Sequence, residues 1–146
     1  MTIFKHILVP IDFEESSLHA LRLATDVALA LGAQLSIVHV WDIPPLAYAG
    51  AIDSSFDFLS TVHKAASEQL KESLAKARER MPNLNASLRR GVPWQEILSA
   101  IDEKQPDLVV MGTHGRRGLR HVLLGSVAEK VVRLSPVPVL TVREPA

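Results

Sequence analysis

The sequence contains no cysteine in its 146 residues. That excludes a disulfide framework, a thiolate nucleophile and a thiolate metal site. It fits a reducing compartment without proving one. An excess of charge is also missing, because 16 basic and 16 acidic residues cancel to a formal net charge of zero. Proteins that live on nucleic acid or on an anionic membrane carry a basic excess or a basic stripe, so that class is disfavoured. No apolar run approaches the roughly 18 residues of a membrane span. The apolar stretch at the start, Met1 to Pro10, is short and runs at once into the acidic segment Asp12 to Glu15. A secretory signal needs a basic start, a longer apolar core and a small-residue cleavage site. The expectation is a cytoplasmic protein with no membrane partner.

Three phosphate or nucleophile signatures are absent as well. The chain has no Gly-x4-Gly-Lys-Ser/Thr loop, no Gly-x-Gly-x-x-Gly dinucleotide fingerprint and no Gly-x-Ser-x-Gly elbow. What is present is ample core material, since 47% of the residues are hydrophobic. Length and uniform composition suit one domain, residues 1–146.

Along the chain, continuous apolar strand runs alternate with helical periodicity. Lys5 to Ile11 has no polar face, which suits a strand buried on both sides of a parallel sheet. Ser16-Ser17 offers capping chemistry, and Leu18, Leu21, Ala24, Ala28 and Leu31 then recur at helical spacing until Gly32. Gln34 to Trp41 is a second buried strand, ended by Pro44-Pro45. Residues 42–57 read as a long surface connection. The spacing of Ala66, Leu70, Leu74, Ala77 and Met81 predicts a helix over residues 60–81, with Pro82 as its stop. Asn85 to Arg90 is a short strand, and Pro93 suits the first turn of the helix carrying Trp94, Ile97, Leu98 and Ile101. Leu108 to Met111 is a further buried strand, Ser126 opens the last helix, and Val137 to Val142 is the last strand.

This order, β-α-β-α-β-α-β-α-β, implies an α/β fold: a Rossmann-like, doubly wound, five-stranded parallel sheet in the order 3-2-1-4-5 with helices on both faces. Such sheets bind ligands beyond the carboxyl ends of the strands, where the winding reverses. That point lies between the first strand, followed by Asp12, and the fourth, followed by Gly112.

Between the fourth strand and the last helix, the segment from Gly112 to Ser126 holds Gly112, Gly115, Gly118 and Gly125, four of the seven glycines. Glycine lets an anion approach main-chain N–H groups, and successive N–H groups in a turn form an anion nest. Gly125-Ser126 opens a helix, whose free N–H groups and dipole favour phosphate. Arg116, Arg117, Arg120 and His121 add local positive charge. The bland alternative is that these glycines mark turns and the arginines are solvated. With glycine at about 7% of residues, Gly-x-x-Gly-x9-Gly-Ser/Thr arises by chance in roughly half a percent of chains this long.

Gly112-x-x-Gly115-x9-Gly125-Ser126 resembles the ATP-binding motif of the universal stress protein family. The opening HILVPIDFEESSLHALRLA and the closing PDLVVMGTHGRRGLRHVLLGSVAEKVVRLSPVPVLTVRE are similar to that family's first strand and helix and to its C-terminal signature. The resemblance implies a binding set of Pro10, Ile11, Asp12, Val40, Met111, Gly112, His114, Gly115, Arg116, Gly125, Ser126 and Val127. Within it, Asp12 would hydrogen-bond the ribose or organise a metal near the phosphates, and Val40 would meet the adenine. Met111 and Gly112 would line the base and ribose, while Gly115, Gly125, Ser126 and Val127 would cradle phosphates through main-chain N–H groups. The bland readings are a turn or cap role for Asp12 and plain core packing for Val40 and Met111. Glu14 departs from the family's pattern, which often has a small hydroxylic residue there. A carboxylate at that point could repel phosphate or help hold Mg²⁺.

The cofactor implied is ATP, or ADP or AMP, with Mg²⁺. The implied partner is a second copy of the chain, paired through Val137 to Val142, although Pro136 and Pro138 block pairing at one end. His114 and His121 have no further ligand at metal-binding spacing. His39 and His6, in and beside buried strands, read as hydrogen-bonded structural histidines. No lysine in the loop and no general base at a defined offset point to catalysis. The resulting function is a nucleotide-dependent switch or adaptor in a stress response, acting with an unknown protein partner. A slow ATPase or nucleotide-transferring enzyme, and a nucleotide-independent dimeric module, stand as alternatives.

Overall fold

A computed structural model describes residues 3–42, 56–113 and 124–144. Its elements alternate as β1 (His6–Ile11), α1 (Glu15–Leu31), β2 (Gln34–Trp41), α2 (Phe56–Arg80), β3 (Asn85–Arg90), α3 (Pro93–Lys104), β4 (Leu108–Gly112), α4 (Ser126–Leu134) and β5 (Val139–Val142). The five strands form one parallel sheet in the order β3-β2-β1-β4-β5. This is the expected topology, with its reversal between β1 and β4.

Alternation along the strands divides the interior in two. Ile7, Val9, Ile11, Leu35 and Ile37 join Leu21, Ala24, Leu70 and Leu74 beneath α1 and α2. Leu8, Val38, Val109 and Met111 join Ile97, Ile101, Ala128 and Val131 beneath α3 and α4. Both faces of the central strands are therefore covered, which is why β1 and β4 read as unbroken apolar runs rather than as alternating ones.

Local signals set most boundaries. Gly32 takes the left-handed conformation (φ 68°) and its N–H donates to the carbonyl of Ala28, closing α1. Pro93 lies in the first turn of α3, as expected. β1 begins at His6 rather than Lys5 and β4 runs on to Gly112, and three boundaries differ from the sequence reading by more. The Ser16-Ser17 pair does not cap α1; the cap position is Glu14, and both serines are buried inside the first turn. The second helix starts at Phe56 and ends at Arg80 rather than running over 60–81. The last strand begins at Val139, because the Ser135 hydroxyl donates to the Val137 carbonyl (2.7 Å) and accepts from the Val137 N–H (3.1 Å). That turn holds residues 135–137 out of the sheet. Residues 43–55, most of the expected long connection, lie outside the described residues.

At the β3 edge, Arg89 fastens α3 to the sheet. Its guanidinium bonds Glu96 (3.0 Å) and Glu103 (2.7 Å). The hydrogen bond that Arg89 donates to Glu103 raises the Arg89 pKa, burial opposes this, and the bond to Glu96 adds to the rise. No described helix is long and apolar enough to cross a membrane.

Candidate functional site

The two middle strands separate toward their carboxyl ends. The β1–β2 ladder runs to Ile11↔His39, whereas the β1–β4 register covers Ile7↔Leu108 and Leu8↔Val109. Pro10 follows in β1 and has no N–H to offer a neighbour. In a sheet wound this way the point of reversal forms a crevice beyond the strand ends, which here falls at the ends of β1 and β4.

One wall is the turn from β1 into α1. Phe13 sits at φ 69°, in the left-handed region, a strain of order 1 kcal/mol for a non-glycine residue. Its ring packs against the buried His39 ring at 4.1 Å between centroids. His39 in turn donates from Nδ1 to the Ile11 carbonyl (2.8 Å), which fixes its proton on that nitrogen. This is the structural role expected for His39. His6 plays a similar part, with Nε2 2.7 Å from the Ser36 hydroxyl.

The same turn carries Asp12, half-buried, whose Oδ1 accepts the Glu14 N–H (3.0 Å). The Asp12 N–H donates to the Ser17 hydroxyl oxygen (3.1 Å), and that hydroxyl donates to the Glu14 carbonyl (3.1 Å). Glu14 itself is exposed and makes no side-chain cap to α1.

The opposite wall is built where β4 ends. A Cβ on Gly112 would overlap the Ser16 hydroxyl and come within 2.7 Å of the Ser16 carbonyl carbon and 2.8 Å of the Ser17 nitrogen. Glycine is required there because the start of α1 lies directly on the β4 backbone. Next, the Thr113 N–H donates to the Val142 carbonyl (3.0 Å), and the Gly125 N–H donates to the Thr113 carbonyl (2.6 Å). This second bond joins the two ends of the glycine-rich loop. Gly125 is the cap residue of α4 and makes no side-chain cap bond. The first helical bond runs from the Glu129 N–H to the Gly125 carbonyl (2.9 Å), so the preceding N–H groups of the first turn have no partner within the helix.

The expected site residues therefore divide. Pro10, Ile11, Asp12, Gly112, Gly125, Ser126 and Val127 stand on the elements bordering the crevice, and Val40 is near the end of β2. Met111 and Ile11 are 5% and 4% exposed and belong to the two cores; Val40 and Val127 pack partly against the α3–α4 core. His114, Gly115 and Arg116 lie outside the described residues, as do Arg117, Gly118, Arg120 and His121. Among the described residues no three His, Cys, Asp or Glu side chains gather as a metal-binding group. Ser16, Ser17, Phe13 and Thr113 border the site, although the sequence reading named none of them as a site residue. A serine two and three residues past the cap position was the available signal for the first two.

The sequence profile described as the Universal stress protein family matches residues 3–143. The chain belongs to that family. Universal stress protein MJ0531 of Methanocaldococcus jannaschii is 35% identical over 144 residues, covering 98% of this chain and 84% of its own. Among solved structures, hypothetical protein MJ0577 superposes with a TM-score of 0.82 at 24% identity, over 99% of both chains. This likeness establishes the Rossmann-like fold of the present universal stress protein. A universal stress protein solved in complex with cAMP superposes with a TM-score of 0.69 at 26% identity, over 97% of this chain and 98% of that one.

Proposed function

We propose that this universal stress protein binds an adenine nucleotide, ATP with Mg²⁺, in the crevice between β1 and β4, and works as a nucleotide-dependent switch or adaptor in the cytoplasm. The observation that carries the reading is the 2.6 Å bond from Gly125 to Thr113. It brings the uncapped start of α4 to the end of β4, at the crossover point of the sheet, with Asp12 at the end of the neighbouring strand. A helix start with free N–H groups favours a phosphate, and a carboxylate accepts ribose hydroxyls. The motif Gly112-x-x-Gly115-x9-Gly125-Ser126 and the relative solved with cAMP support an adenine nucleotide as the ligand class. Of the remaining sequence candidates, Arg116 adds positive charge to the loop sequence, and His114 belongs to the set that the family resemblance implies. No described residue stands out as a general base, so turnover is not part of the proposal.

A homodimer through β5 belongs to the same reading. β5 is an edge strand, and its Leu140 is 42% exposed. An apolar edge of this kind is a template for pairing. Sedimentation at micromolar concentration is expected to give a dimer; a monomer would remove this part of the proposal.

One observation favours the rival, nucleotide-independent module: Gly112 and Met111 are accounted for by packing alone. The two readings separate on chromatography of whatever the freshly purified, denatured protein releases. Stoichiometric adenine nucleotide supports the switch. An empty protein that also gives no signal with added ATP and Mg²⁺ supports the module.

A further inference from the structure

Three hydrogen bonds at the β1–α1 turn form a closed ring. The Ser17 hydroxyl donates to the Glu14 carbonyl (3.1 Å), the Glu14 N–H donates to Asp12 Oδ1 (3.0 Å), and the Asp12 N–H donates back to the Ser17 hydroxyl oxygen (3.1 Å). Only the Ser17 hydroxyl both accepts and donates, so it couples two of the three bonds and strengthens both. Ser17 is 4% exposed and sits on the first turn of a long helix, which makes it the fixed member of the ring. The ring encloses Phe13, whose left-handed φ of 69° needs support from its surroundings. Glu14 contributes through its backbone N–H and carbonyl only, because its side chain does not cap the helix. The ring engages one oxygen of the Asp12 carboxylate, and the other makes no hydrogen bond among the described residues.

We infer that Ser17 is a positioning residue for the ligand: it holds the Asp12 carboxylate with one oxygen engaged in the turn and the second presented to the sugar hydroxyls of the nucleotide. This rests on the nucleotide reading above and adds to it where sugar selectivity comes from. Removal of the Ser17 hydroxyl breaks two of the three bonds and leaves only the Asp12–Glu14 contact to orient the carboxylate. A serine that merely stabilised the helix start would weaken the fold and leave the choice between sugars untouched.

The test compares ATP with 2′,3′-dideoxy-ATP, by calorimetric titration of the intact chain, in wild type, Ser17→Ala, Asp12→Ala and the double variant. Wild type is expected to prefer ATP. Ser17→Ala is expected to reduce that preference about five-fold, the scale of one lost hydrogen bond. In the Asp12→Ala background the same substitution is expected to change nothing, because the two residues act as one unit. Ser17→Cys, which keeps the shape but weakens both bonds, should give an intermediate preference, and it carries the comparison should Ser17→Ala fail to fold. Equal losses for both nucleotides, or additive losses in the double variant, would overturn the inference and leave nucleotide binding standing. Failure of wild type to bind ATP would overturn the nucleotide reading and this inference with it.

Discussion

Gly112→Ala separates packing from ligand binding at the end of β4. Gly112 is not among the residues with positive φ, so alanine meets no backbone penalty there. Whatever it costs is steric. The new methyl would overlap the Ser16 hydroxyl and lie 2.7 and 2.8 Å from backbone atoms of Ser16 and Ser17. Rotating the Ser16 side chain relieves the first clash only. Relief of the other two requires the start of α1 to move away from the sheet, against the buried Ser16, Ser17, Ala20 and Leu21. Overpacking against side chains costs typically 1–3 kcal/mol, and backbone that must shift puts this site at the upper end, about 3 kcal/mol. For a chain of this size that is a fall in Tm of about 9 °C. Gly32→Ala is the control: it has nothing within 4 Å but a φ of 68°, so its cost is conformational and about 1 kcal/mol. Thermal unfolding followed by circular dichroism measures both. If Gly112→Ala melts no lower than Gly32→Ala, α1 does not rest on Gly112 and the geometry given for this wall of the crevice is wrong.

Two further substitutions test the surroundings. Glu14→Ser supplies the missing cap to α1, worth about 1 kcal/mol, and removes a helix-start carboxylate worth about 0.3 kcal/mol. A net rise in Tm of about 2 °C is expected. An unchanged Tm would mean that the turn already satisfies the helix start. His6 governs the acid side of the stability profile. Burial lowers its pKa below the ordinary 6.5, outweighing Asp107 and the bond to the Lys104 backbone, which act to raise it. The unfolded chain then binds a proton that the folded chain resists, so stability is full above 6.5 and falls as the pH drops below it. Denaturant unfolding about one pH unit either side of that value should show a smaller loss in His6→Gln than in wild type. An equal loss would place the titration elsewhere. Asp107 does not confuse the reading. Burial acts to raise its pKa, but the Lys5 and His6 N–H groups hold it below 3.8, so its contribution is lost only in stronger acid.

The fold was legible because its signals are local or periodic. Unbroken apolar runs marked the buried strands, Gly32 and Pro93 marked helix ends, and the alternation of element types carried the sheet order with it. Asp12 and Gly112 could be assigned to the point of reversal from that order alone. The finer features of the site come from residues far apart in sequence. Ser16 and Ser17 have capping chemistry, and nothing local shows that Gly112, about a hundred residues later, lets them sink into the core. The left-handed Phe13 is stabilised by a histidine on the neighbouring strand, and no local rule anticipates a phenylalanine there. Val137 has strand propensity, yet the Ser135 hydroxyl takes both of its backbone groups into a turn. Gly112 shows the same limit from the other side: its place in a phosphate motif says nothing about how closely a helix lies over it.

The most direct test of nucleotide binding is calorimetric titration with ATP and Mg²⁺ of wild type and Gly125→Val. Gly125 has φ −69° and ψ 168°, a backbone that valine adopts without strain, so a lost signal reports on the ligand rather than on the fold. Saturable ATP binding in wild type that disappears in a folded Gly125→Val variant is the predicted result. No binding by wild type, or equal binding by both proteins, would contradict the placement of the phosphates at the start of α4.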